Sequence, residues 1–168
     1  MPRTCTIARA LEVVGERWAL LVVREVSLGV RRFADIQAAT GAPPAVLADR
    51  LRSLVAADVL RTRPYREPGA RSRQEYVLTS RGRELQPVLA ALRDWGDRHL
   101  AGEDGPPVVV RHRACRSPVH AVLLCESGHR VDDLRDLQAE PVRIGVDPAA
   151  VHVGGGSTPA DDGPAVPR

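Results

Sequence analysis

The groups with chemistry to offer in this chain are three cysteines, five histidines and 24 cations, every one of them arginine. Cys5 stands where a helix is expected to begin, with Arg3 and Arg9 close by. Backbone N–H groups and cations favour the thiolate, the nucleophilic form, so Cys5 is a candidate redox sensor. The same position also suits a small hydrophobe packed between subunits, and the sequence leaves both readings open. Cys115, Cys125 and His129, with His112 and His120 nearby, form the one set of residue types that bind zinc. Their spacing, C-x9-C-x3-H, lacks the paired C-x2-C of a zinc ribbon. A structural hairpin with unpaired thiols is therefore the expectation, with no cofactor. The chain has no phosphate-binding loop, no H-E-x-x-H and no nucleophile–base arrangement, so no enzyme is expected.

The arginines are unevenly placed. Residues 1–100 hold 17 Arg against 11 acids, whereas residues 101–168 hold 7 against 10. Seven fall between Arg61 and Arg83, opposed only by Glu67 and Glu75. Such concentration on one short stretch points to a surface that tracks phosphates, since the guanidinium fork suits phosphate oxygens and guanine edges. Five aromatic residues are too few for the stacking platforms of a single-strand nucleic-acid binder. They also leave the core to Leu, Val and Ala. No apolar run reaches the length of a membrane span. The early apolar stretch LEVVGERWALLVV is interrupted by Glu12, Glu16 and Arg17, which argues against a signal peptide and for a cytoplasmic protein.

Helical periodicity places the elements that must carry these groups. Ile7, Ala10, Leu11 and Val14 share a face, giving a short helix capped by Thr4 or Thr6 and ended by Gly15. RWALLVVREV reads as a buried second helix stopped by Gly29. Phe33 opens a third, with Ile36 and Ala39 inward, ending at Thr40-Gly41. Pro43 and Pro44 open a fourth, whose buried stripe is Leu47, Leu51, Leu54 and Val55. Strands are expected over Leu60 to Tyr65 and Gln74 to Leu78, joined through Pro68 and Gly69. Thr79 then caps a long helix from Ser80 to Leu100, with Leu85, Val88, Leu89, Leu92 and Trp95 as its stripe. Beyond the linker GEDGPP, VVVRHRAC and VHAVLLC predict two strands turning at Arg116 to Pro118. These readings divide the chain into a DNA-binding domain over 1–101, a small β-hairpin annex over 106–146 and a disordered tail over 147–168.

Helix, turn, helix and arginine-rich hairpin, in that order, are the parts of a winged helix, an α+β fold. It inserts one helix into the major groove and lays the hairpin along the phosphates. With Leu47 inward, a helical wheel puts Ala45, Asp49, Arg52, Ser53 and Ala56 of the recognition helix outward, with Arg50 at the margin. Arg63, Arg66, Arg71 and Arg73 supply the wing. Arg50, Arg52 and Ser53 can donate to bases or phosphates. Ala45 and Val46 suit thymine methyls, and Asp49 either accepts from cytosine or repels phosphate.

Several longer motifs resemble the HxlR-type regulators, relatives of the MarR family. They are Cys5-Thr6-Ile7-Ala8-Arg9-Ala10-Leu11, Gly15-Glu16-Arg17-Trp18, Arg24-Glu25, Arg31-Arg32-Phe33, the run from Tyr76 to Leu85, and Trp95-Gly96. The resemblance covers about residues 3–100. It implies a homodimeric winged-helix transcription factor on an inverted-repeat operator, acting most often as a repressor, with its first and last helices forming the dimer. Some members respond to electrophiles or oxidants through a cysteine near the N-terminus, and the effector here, small molecule or oxidant, is left open. Members of actinobacterial type carry a similar cysteine-bearing extension, a common annex or a degenerate zinc module. One departure stands out. Pro43, Ala45, Val46 and Ala48 occupy slots where the family usually has a polar cap, an arginine, a threonine and a serine. Either specificity then rests on DNA shape and the wing, or the chain is a winged-helix interaction module without sequence-specific DNA binding.

Overall fold

The computed structural model describes residues 5–66, 72–103 and 105–140. The tail expected over 147–168 therefore lies outside the described residues, as do Arg3, Thr4, Arg71 and the Pro68–Gly69 turn.

Helix α1 (Thr6–Val14) starts at Cys5, which makes no side-chain cap bond. Thr6 is thus the first helical residue and not the cap. Gly15 closes the helix, its N–H donating to the Leu11 carbonyl at 2.8 Å. Helix α2 (Arg17–Ser27) is the central element, burying Ala19, Val22, Val23 and Val26. It also buries Glu25, whose carboxylate is paired with Arg24. A buried charge needs such a partner.

Helix α3 (Phe33–Thr40) ends on Gly41 at φ 70°. That left-handed residue lets the chain reverse into the next helix at little steric cost. Ile36 is fully buried, but Ala39 faces solvent, contrary to the periodicity reading. In this helix of eight residues Ile36 and the half-buried Phe33 make the contact with the core, and Ala39 falls outside it. Helix α4 (Pro44–Ala56) buries Leu47, Leu51 and Leu54. Together with Val59, Leu60 and the valines of α2, these leucines form an aliphatic core with no fully buried aromatic.

Strands β1 (Leu60–Tyr65) and β2 (Arg73–Leu78) pair antiparallel, with Leu60 opposite Leu78 and Tyr65 opposite Arg73. Arg31, in the loop before α3, joins this hairpin by accepting from the Tyr76 N–H at 2.8 Å. That bond ties the wing to the helix-turn-helix.

The long helix expected over 80–100 is two helices, α5 (Ser80–Arg83) and α6 (Gln86–His99). Pro87 explains the break. It has no N–H to give to the Arg83 carbonyl, and its ring would press on that group, so a new helix starts with proline in its first turn. Thr79 caps α5 as expected, accepting from the Gly82 N–H at 3.0 Å. Its hydroxyl also donates to the Asp58 carbonyl at 2.6 Å. Gly82 is buried so tightly there that a Cβ would sit 2.1 Å from the Val59 carbonyl oxygen.

The annex differs from its predicted pairing. Residues 108–115 and 119–125 do not form a ladder; a single bridge, Arg111 to Pro118, marks that turn. The two-stranded ladder lies further on, between β3 (Leu123–Leu124) and β4 (Arg130–Val131), closed by Gly128 at φ 82°. A 3₁₀ turn at Leu134–Asp136 follows. The annex is fastened to α6 by polar bonds. Arg93 donates to the Val119 carbonyl at 2.5 Å, and Asp94 accepts from the Ala121 N–H at 2.6 Å. Among the described residues no helix is long and apolar enough to cross a membrane.

Candidate nucleic-acid interface

Helix α4 presents the face the wheel predicts. Ala45, Val46, Arg52 and Ser53 are exposed, and Asp49 and Arg50 lie at its half-buried margin. Their charges are not independent. Asp49 accepts from Arg50 at 2.5 Å and from Arg52 at 3.2 Å. One carboxylate thus holds both of the helix's arginines. With Asp49 in place each guanidinium has one NH2 group held by the carboxylate and its remaining N–H groups to offer to DNA, while the acid itself can face a donor such as a cytosine amino group. The i, i+3 spacing of Asp49 and Arg52 made that pair legible in the sequence.

The wing arginines divide in two. The β1–β2 register sets Arg63 directly opposite Glu75. Its Nε donates to that carboxylate at 2.7 Å, so Arg63 serves the hairpin as a cross-strand pair. Arg66 and Arg73 are exposed near the tip, and Arg71 lies outside the described residues. Arg32 stacks its guanidinium 4.6 Å above the ring of Tyr65, which anchors the far end of β1 to the start of α3. Composition did not single out this contact, because Arg32 and Tyr65 meet only once the hairpin folds back.

The thiols are all exposed and free. Cys5 stands at the start of α1 as expected. Among the described residues no group of three or more His, Cys, Asp or Glu is placed to hold a metal ion, so Cys115, Cys125 and His129 are not gathered into a zinc site. The annex turns explain this. Cys115 sits on the Arg111–Pro118 turn and Cys125 on the β3–β4 turn, where its carbonyl accepts from Gly128. Cys115 has instead acquired its own surroundings. The Ser117 backbone N–H and hydroxyl, together with His112 Nδ1 at 3.2 Å from the sulfur, pull its thiol down from 9.0 to about 7. The sequence put Cys5 forward as the reactive thiol; the geometry gives Cys115 the activating contacts. Its signal was present as H-x2-C, an i, i+3 pair read only for metal.

Asp94, which holds the annex, is pushed upward by burial. Hydrogen bonds from the Ala121 N–H and Arg93, with the charges of Arg93 and His120, outweigh that and hold its carboxyl below the usual 3.8.

Helix-turn-helix, hairpin and corner define a winged-helix DNA-binding protein. A family model of HxlR-like helix-turn-helix proteins matches residues 13–104, and the chain belongs to that family. It is 38% identical over 136 residues to the uncharacterized HTH-type transcriptional regulator Rv3095 of Mycobacterium tuberculosis, covering 81% of this chain and 85% of the relative. The crystal structure of PA1607, a proposed transcription factor, superposes with a TM-score of 0.73 at 33% identity, covering 83% of this chain and 96% of that one. Both matches are longer than residues 13–104. The redox regulator HypR in its oxidized form superposes with a TM-score of 0.51 at 25% identity, over 56% of this chain and 96% of its own. The chain is accordingly a transcriptional regulator of helix-turn-helix fold, from a family of regulators and not of enzymes.

Proposed function

We propose that the protein is a homodimeric repressor that binds an inverted-repeat operator and releases it in response to a thiol-reactive compound or a ligand. The reading places residues 1–101 on DNA, residues 106–146 beside them as a regulatory annex, and the protein in the cytoplasm. The observation that carries it is the joint exposure of the α4 face and of Arg66 and Arg73 on the wing, with Arg31 and Arg32 tying the wing to the start of α3. One helix in the major groove of each half-site requires two copies, and the operator symmetry follows from theirs. Apolar side chains left uncovered on α1 and α6 supply a face for a second copy. Response through a thiol is supported by the setting of Cys115 and by the likeness to HypR.

The Asp49 clamp favours a second reading, a winged-helix interaction module without sequence-specific DNA binding. A gel-shift titration against DNA upstream of its own and adjacent genes decides between them. Selective, salt-sensitive binding is the expected result. Binding no tighter than to random DNA would transfer the proposal to the interaction module.

A further inference from the structure

Helix α6 has two working faces. Its Val88 and Trp95 positions look outward, while Gln86, Leu89, Ala90 and Arg93 look toward α2 and the annex, and Leu92, although exposed, lines the same space. Between α6, α2 and the annex lies a cavity of about 770 Å³. That size lies within the range of small-molecule sites, about 300–1,000 Å³. Its walls are mainly aliphatic: Leu20 and Leu28 from α2, Leu89 and Ala90 from α6, Val119 and Val122 from the annex. Collapse would be the ordinary fate of such a space, because a wet aliphatic wall is unfavourable. The polar bonds from Arg93 to Val119 and from Ala121 to Asp94 instead hold the annex against α6 at that edge. The aliphatic groups on either side stay accessible, with Leu28 53%, Val119 38% and Val122 51% exposed.

The charges at the cavity select the occupant. Arg24 is paired with Glu25. Arg93 is paired with Asp94 at 2.9 Å and reaches Asp97 at 4.0 Å. Both wall arginines are thus paired with carboxylates of the same chain, and His120, the remaining basic group of the wall, lies 3.5 Å from Asp94, so the wall offers an anion no uncompensated positive charge. We propose that this cavity is the binding site of an uncharged, largely apolar small molecule. The proposal deepens the ligand-responsive reading and rests on it only for the effect on DNA. Binding itself is measured without DNA, so the two fail separately. The route to the wing is short: α2, which forms one wall, also packs on α3, α4 and β2.

The test uses the full chain and N-phenyl-1-naphthylamine, a neutral apolar fluorophore. Saturable enhancement with one dye per chain is expected. Ala90→Phe and Ala121→Trp fill the cavity and should weaken binding at least tenfold. Val122→Thr keeps the volume, adds a hydroxyl, and should weaken it severalfold in a variant with little reason to misfold. Ala39→Ser, on the solvent face of α3 away from the cavity and from the α1–α6 face, should leave it unchanged. Circular dichroism checks the fold of each variant. No saturable binding would overturn the proposal, as would binding that survives Ala121→Trp and Val122→Thr in folded protein or is lost in Ala39→Ser. Tighter binding of the sulfonated analogue 8-anilinonaphthalene-1-sulfonate than of the neutral dye would overturn the assignment of ligand class.

Discussion

At the scale of single residues, neighbours decide what a side chain can do. Cys5 and Cys115 are both exposed thiols, yet only Cys115 has Ser117 and His112 arranged to favour its thiolate. The sign follows directly. With a thiol near 7, the reactive fraction rises as pH increases through 7, well below the point where an ordinary thiol ionises. Iodoacetamide labelling followed by peptide mapping should therefore show Cys115 reacting first at pH 7, with half its plateau rate near that pH. His112→Ala should move the midpoint upward. Equal rates for Cys5 and Cys115 at pH 7 would refute the assignment. Asp49 offers the complementary case, an acid between two cations on the α4 face. Asp49→Ala should tighten binding to all DNA sequences by up to about 1 kcal/mol, the worth of an exposed ion pair. Affinity that falls for one operator alone would instead make Asp49 a reader of cytosine.

At the scale of elements, close approach and register matter most. The Thr79–Gly82 corner joins the end of the wing to the turn after α4, and Gly82 is the only residue type that fits beside the Val59 carbonyl. Gly82→Ala should cost about 1–3 kcal/mol, the usual penalty for overpacking, read as a lower midpoint in urea. An unchanged midpoint would show that the corner yields freely. The wing itself is legible in the sequence because two strand-like runs flank a loop that carries Pro68 and Gly69. What its arginines do was less so, since only the register revealed that Arg63 belongs to Glu75. Replacing Arg66, Arg71 and Arg73 together with Ala should weaken binding to every sequence. The salt slope should fall by up to about 0.9 per lost phosphate contact. A slope that does not move would remove the wing from the phosphates.

At the scale of the whole molecule, the uncovered surface is the main feature. Helix α6 buries none of its residues fully, and α1 buries only Val14. Ile7 is 71% exposed, Leu11 55%, Leu92 53% and Trp95 53%. Exposed apolar side chains of this kind suit the proposed dimer face. Sedimentation should find a dimer at micromolar concentration, and Leu92→Glu with Leu11→Glu should convert it to monomer. A parent protein that sediments as a monomer would remove the basis for two-half-site binding.

The order of elements, the aliphatic core and the outward face of α4 were present in the sequence. Helical and strand periodicity depend on neighbours a few residues apart, and the family motifs run along the same continuous stretches. The split at Pro87 was legible too, from the rule that proline cannot continue a helix. Tertiary structure alone decided the rest. Arg32 on Tyr65, Arg93 on Val119 and Asp94 on Ala121 join residues more than 25 positions apart, and no local period encodes them. The cavity between α2, α6 and the annex has the same origin. Its walls come from three separate stretches of chain, each of which reads by itself as ordinary aliphatic packing.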